Sequence, residues 1–399
     1  MPPLVLEWLN LLVRWIHVVA GIMWIGDSFL FMWMDSHLEP PSRPREGNVA
    51  GELWMVHSGG FYEMIKRRSL APAEMPASLH WFKWQSYSTW LSGIALLAVV
   101  YWFGGAAFLL DRSLVGWSAG QAVAASAALL VAGWLVYDAL WMSPLARRPR
   151  LAELLSGALL AGAIVLVTRL FPGRAAFLEI GAMLGTIMAA NVWRRIIPAQ
   201  TQMLAATRSA SPVDLSLGAR AKLRSTHNHY LTLPVVFCML SNHFPSTYGH
   251  PWNALILVLF VVFGAAFKYV MNFRMRSPAI AFAALASLLA LVGLTARPPG
   301  RAGTAAGAPA MAPVPFATTR GILERRCTTC HSAHPSNPSF PAAPAGVKLD
   351  DPAVVLAMAP RIRVRAVETL TMPLGNLTGM TQAERDTLAA WIDSGARPE

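Results

Sequence analysis

Apolar residues run along this chain in long blocks, broken by short polar stretches rich in Arg, Lys, Pro and Gly. Eight blocks come close to the roughly 20 residues that a helix needs to cross a bilayer. They are 4–33, 86–110, 117–141, 152–171, 176–197, 229–246, 252–272 and 278–295. The expected fold class is all-α, an eight-span transmembrane helix bundle over residues 1–295. The sixth block is the weakest, because polar groups flank and interrupt it. The longest connection, 34–82, mixes Pro-rich turns with helix-like stretches such as Glu52 to Arg68, and is expected on the membrane surface. Residues 296–315 are almost entirely Pro, Gly and Ala; they cannot build a core and read as a linker. A small domain, 316–399, follows.

Composition supports this picture. Hydrophobic residues make up 55% of the chain and charged residues 14%, against about 25% charged in a soluble protein. A disordered chain, a disulfide-rich secreted module and an ordinary cytosolic enzyme are excluded. The net charge of +12 raises the question of nucleic acid, but no nucleic-acid motif is present. The excess lies in the loops of the hydrophobic part. Arg43, Arg45, Lys66, Arg67, Arg68 and Lys83 follow the first block, Arg147, Arg148 and Arg150 the third, and Arg194, Arg195, Arg208, Arg220, Lys222 and Arg224 the fifth. Arg274 and Arg276 follow the seventh. The alternate loops hold few, among them Arg112 and Arg174. The positive-inside rule then puts both termini outside the cytoplasm. Nothing before the first block reads as a cleaved signal peptide.

Residues 327–331 read Cys-Thr-Thr-Cys-His. C-x-x-C-H is the attachment signature of c-type haem: two thiols on one turn reach the vinyl groups, and the adjacent imidazole falls beneath the iron. Half a zinc site is the competing reading, but no Cys follows and His334 is the only other His downstream. The axial ligands to the iron are then His331 and, from the opposite side, Met372, with Met380 as competitor. A Met/His pair raises the potential and suits electron transfer. Thr381 to Ser394 opens with Thr-x-x-Glu and puts Leu388, Trp391 and Ile392 on one face, as in a capped terminal helix. The domain reads as a small class I-like cytochrome c, with Cys327 and Cys330 holding the haem. Haem c is attached outside the cytoplasmic membrane, in agreement with the charge rule.

Ionisable residues inside a span are costly and mark function by default. The first block carries Arg14, His17 and Asp27; Arg14, His17, Gly21, Trp24 and Ser28 share one helical face. His17 reads either as a ligand or substrate contact or as part of a hydrogen-bonded seam. The sixth block holds His227, Asn228, His229, Tyr230, Pro234, Asn242 and His243. His229 and His243 are fourteen apart, about 21 Å on a straight helix, the separation of two stacked b-type haems. Pro234 lies between them and weakens the alignment. One b-type haem with His243 on its iron, two, or none all stay open. Asp138, Asn191, Lys268 and Asn272 are further candidates. No nucleotide-binding or acyl-transfer motif occurs.

The phrases WIHVVAGIMWIGDSFLF, NVWRRIIPAQ and HNHYLTLPVVFCMLSNHF, fused to Cys-Thr-Thr-Cys-His and to MPLGNLTGMTQAERDTLAAWIDSGA, resemble the PuuD family of membrane-bound urate oxidases. The resemblance covers nearly the whole chain outside 296–315. It implies oxidation of urate to 5-hydroxyisourate, with electrons passed to the tethered haem c and on to the respiratory chain rather than to dioxygen. It implies a soluble cytochrome c or a terminal oxidase as acceptor, and the bacterial inner membrane as location with the cytochrome on the periplasmic side. Urate is an anionic, electron-rich purine, so His and Arg suit its site. His17 with Arg14 comes first, then Asn228, His229 and His243. The alternative function is an electron-relay subunit with no substrate of its own.

Overall fold

A computed structural model describes residues 3–103, 106–111, 113–273, 277–296 and 314–398. Arg112, Arg274 and Arg276, and most of the 296–315 linker, lie outside the described residues. Ten helices precede the linker: α1 (Pro3–Ser36), α2 (Trp84–Leu97), α3 (Ala119–Met142), α4 (Pro149–Leu170), α5 (Gly173–Asn191), α6 (Ile197–Arg208), α7 (Leu215–Leu240), the single turn α8 (Pro245–Tyr248), α9 (Asn253–Phe273) and α10 (Pro278–Ala296). Among the described residues six helical stretches are long and apolar enough to cross a membrane: Leu4–Ser36, Ala119–Met142, Pro149–Leu170, Gly173–Arg208, Asn253–Asn272 and Pro278–Ala296. The other two expected blocks fall on α2 and α7. α2 has only 14 residues before a π turn, Ala98–Trp102, extends it. α7 carries three charged residues, Arg220, Lys222 and Arg224, in its first three turns and ends at Leu240, six residues before the expected boundary.

α5 is the axis of the bundle, with α3, α4 and α7 packed around it. Most of its residues are buried, the polar Glu179 and Asn191 among them. Small residues let its neighbours approach. A Cβ on Gly181 would stand 2.6 Å from Cys238 Cβ of α7. Pro234, inside α7, is accommodated by Gly264 of α9, where a Cβ would lie 2.9 Å from the proline Cδ. The helix therefore continues through the proline. By contrast α1 presents Trp8, Leu11, Trp15, Ile16, Val19 and Ile22 outward, as a helix facing lipid does.

The stretch from Glu52 to Arg68 is not helical. It forms an antiparallel hairpin of β1 (Val49–His57) and β2 (Gly60–Arg67), so the fold is mostly helical with one hairpin. Ser58 and Gly59 both adopt positive φ, the geometry of a two-residue hairpin turn. Val, Trp, Phe, Tyr and Ile flank that turn and favour strand. Glu52 fixes the hairpin to the preceding loop: its carboxylate accepts from the Ser42 N–H (2.8 Å) and from Arg45 Nη2 (2.8 Å).

Beyond the linker, α11 (Phe316–Arg326), α12 (Pro352–Ile362) and α13 (Gln382–Asp393) enclose a second core that includes Phe316, Leu323, Val355, Ile362, Leu388 and Trp391. Thr381 caps α13 reciprocally with Glu384, as the Thr-x-x-Glu signature predicts. This domain meets the bundle at α8: Arg365 Nη1 donates to Tyr248 Oη at 2.7 Å, and Phe340 packs edge-on to Phe108.

Candidate functional site

Three consecutive residues of α7 reach three different neighbours, because successive side chains on a helix point about 100° apart. His227 meets Tyr137 and Trp141 of α3. Asn228 meets Asn191 and the Met188 carbonyl of α5. His229 meets Ser28 of α1 and Asn272 of α9.

The first two contacts belong to one hydrogen-bond chain whose direction can be worked out as far as Tyr137. The Met188 carbonyl can only accept, so Asn228 turns its NH2 toward it (2.9 Å). Asn228 Oδ1 then faces Asn191, which must present Nδ2 (2.8 Å). The same Nδ2 donates to Tyr137 Oη (3.1 Å), and Tyr137 Oη shares a hydrogen bond with His227 Nδ1 (2.7 Å) whose direction follows the imidazole tautomer. The Met188 carbonyl thus fixes the roles of Asn228 and Asn191. Asp138 lies beside Tyr137 and holds two guanidiniums. Arg195, released from the helix by the π turn Val192–Ile196, pairs through Nε at 2.8 Å, and Arg224 through Nη2 at 3.0 Å. Arg224 also lies over the Tyr137 ring. Arg224, His227 and Asn228 are three and four positions apart and share one face of α7.

His229 is enclosed. Its Nε2 accepts from Asn272 Nδ2 at 2.6 Å, so Nδ1 carries the proton and donates to Ser28 Oγ at 3.1 Å. Lys268 Nζ sits over the Phe29 ring beside it. His17 lies apart, against α2: Nδ1 donates to the Thr89 carbonyl at 3.0 Å, and the ring packs on Gly93. Arg14 is exposed and bonds Asn10. His17 and Arg14 are thus not brought together with Asn228 and His229.

His243 corrects an expectation. It is exposed, in a turn after the end of α7, and does not continue the His229 face. His229 has both ring nitrogens engaged within the protein. The His229–His243 alignment that two stacked b-type haems would need does not form. Tyr137 and Arg224 belong to the site without a strong sequence signal. Tyr137 is one aromatic in an apolar run, and Arg224 reads as a topology charge.

In the C-terminal domain, Cys327 and Cys330 are free thiols on one turn after α11, with Cys330 N–H to Cys327 O at 3.1 Å and His331 N–H to the same oxygen at 2.8 Å. Burial pushes the Cys327 thiol up to about 12. Burial also lowers the His331 imidazole from its ordinary value, so it is neutral at pH 7. Its Nδ1 donates to the Val347 carbonyl at 3.2 Å, which leaves Nε2 as the ligating atom and orients the ring as metal-bound histidines require. The donor set therefore fits a covalent haem. No group of three or more His, Cys, Asp or Glu suited to a metal ion occurs among the described residues, so the two thiols have no partners for zinc. Met380 is buried in the domain core. Met372 is half-buried and lines a cavity of about 200 Å³ shared with Arg174, Tyr248 and Asn253 of the bundle and Arg365 and Thr369 of its own domain.

A bundle of apolar helices that carries a buried polar chain and two guanidiniums on one carboxylate is the setting of a membrane-type enzyme or carrier for a small polar molecule. The sequence pattern of the urate oxidase N-terminal family matches residues 3–296, and the chain belongs to that family. Membership brings a urate-related function and the oxidoreductase class. No curated protein and no solved structure matches the chain.

Proposed function

We propose that the protein oxidises urate to 5-hydroxyisourate in an eight-span membrane domain, residues 1–295, and delivers the electrons to a cytochrome c domain, residues 316–399. The observation that carries this reading is the family match over 3–296 on a chain that continues into Cys-Thr-Thr-Cys-His. Eight spans are reached by counting α2 with its π turn, and α7, alongside the six apolar helices. The excess of basic loops on one side supports a bacterial inner-membrane location with the C-terminal domain on the periplasmic side.

The overall change is urate plus water to 5-hydroxyisourate, two protons and two electrons. Cys327 and Cys330 would hold haem c, with His331 and Met372 on its iron. The bound haem would supply one-electron acceptance, so that a soluble cytochrome c or a terminal oxidase receives the charge. The chain's own residues do the rest. Arg195 and Arg224 give the site beside Asp138 a net positive charge, which favours an anionic purine. Tyr137 and His227 form a proton-accepting pair in the tautomer whose Nδ1 accepts from Tyr137: Tyr137 then takes a proton from a ring N–H as it passes its own on. Asn228 fixes Asn191. His229, braced by Ser28 and Asn272, holds α7 against α1 and α9, and His17 locks α1 to α2.

Membranes containing the protein should convert urate to 5-hydroxyisourate with consumption of an added electron acceptor and without stoichiometric peroxide. Formation of one peroxide per urate would contradict the route to the C-terminal domain.

A further inference from the structure

Two polar atoms in the α3–α5–α7 site have no partner within the protein. Asn191 Oδ1 and Arg224 Nη1 are both buried and both lack a hydrogen bond. Asn191 is fully buried and Arg224 is 4% exposed. A buried unmatched donor or acceptor costs about 1–3 kcal/mol, so two in one place demand an explanation. The amide orientation is not free to change: Asn228, fixed by the Met188 carbonyl, turns its Oδ1 to Asn191 and requires Nδ2 on that side. Asn191 Oδ1 is therefore an acceptor awaiting an N–H, and Arg224 Nη1 is a donor awaiting an oxygen. Both side chains touch Tyr137. Asp138 neutralises only one of the two guanidiniums around it, which leaves one positive charge beside the orphaned donor. Aromatic rings surround the place: Tyr137, Trp141, His227 and Trp134.

We propose that Arg224 and Asn191 read one edge of the substrate, Arg224 donating to a ring carbonyl and Asn191 accepting from the adjacent ring N–H. The ligand class is a planar anionic heterocycle with a ureide edge. This deepens the urate reading and rests on it. Asn191 and Arg224 are specificity residues, and the Tyr137–His227 pair beside them takes the proton.

The test uses the full-length protein in membranes, with urate and its four ring-N-methylated isomers as probes. Wild type should oxidise one isomer, the one whose methyl replaces the N–H facing Asn191, with kcat/KM lowered at least about tenfold. Asn191→Ala should restore that isomer selectively, because it removes the acceptor and opens space for the methyl. Arg224→Lys keeps the charge but loses the fork, and should raise the KM for urate about tenfold or more with kcat changed much less. If wild type oxidises all four isomers as well as urate, the proposal is overturned without need of any variant. It is equally overturned if Asn191→Ala keeps the same ranking, or if Arg224→Lys leaves KM unchanged; the orphaned atoms would then hold a structural water only. All these outcomes presuppose wild-type turnover of urate. Absence of that turnover would instead overturn the function proposed above.

Discussion

Tyr137 carries the hydrogen-bond chain from α5 to α7, accepting from Asn191 and sharing a hydrogen bond with His227. Replacing it by Phe keeps the ring and removes both bonds. One Asn191 N–H and the His227 Nδ1 are then buried without partners, and a loss of about 1–3 kcal/mol is expected. The thermal midpoint in detergent should fall, and urate turnover should fall with it; an unchanged midpoint would show that the chain does not bear on stability. At the same scale, Cys327→Ala should abolish covalent haem in the C-terminal domain, read as the loss of haem-linked staining in a denaturing gel. Individual residues were unevenly legible. Cys327, Cys330 and His331 are contiguous, so the motif shows them. Asp138 and Asn191 stand out as polar residues in apolar helices. Tyr137 and Arg224 do not, because their roles arise from contacts between helices that are far apart in the chain.

Secondary structure follows the pattern of apolar and polar positions wherever the pattern is long. α3, α4, α9 and α10 lie close to their expected blocks. The hairpin β1–β2 departs from the helical expectation because charged residues interrupt its alternation, and the Ser58-Gly59-Gly60 turn between two β-favouring runs is its one clear sign. The end of α7 was missed because His243 and Asn242 read as a continuation of the same polar face. Two predictions belong to these elements. Gly181→Val would force α5 away from Cys238 of α7, and overpacking of this kind costs about 1–3 kcal/mol; a lower midpoint is expected, and an unchanged one would mean that the helices do not pack at this glycine. The hairpin responds to pH. The Ser42 amide, the Ser42 hydroxyl and Arg45 hold the Glu52 carboxyl down to about 2. A lowered carboxylate contributes stability above its ordinary value near 4.5, and that contribution is lost as pH falls through the window down to about 2. Hydrogen exchange across 38–68 should accelerate over that interval while the helices keep their protection. Uniform exchange from pH 6 to pH 3 would refute the role of Glu52.

For the molecule as a whole, the charge excess has a structural use. Two residues of the basic segments, Arg195 and Arg224, enter the polar site as partners of Asp138. The C-terminal domain lies beside α8, where Arg365 and Tyr248 join the two units. The linker masks none of this in the sequence, because its Pro, Gly and Ala content marks the boundary by composition alone. The central claim is that urate gives its electrons to the C-terminal domain of the same chain. The direct measurement is the visible spectrum of the purified full-length protein, oxidised and held without oxygen, after addition of urate. The account predicts the sharpened absorption of a reduced c-type haem, with about two haems reduced per urate consumed and no added partner. An unchanged spectrum with urate, together with full reduction by a quinol, would contradict the account and make the chain an electron relay.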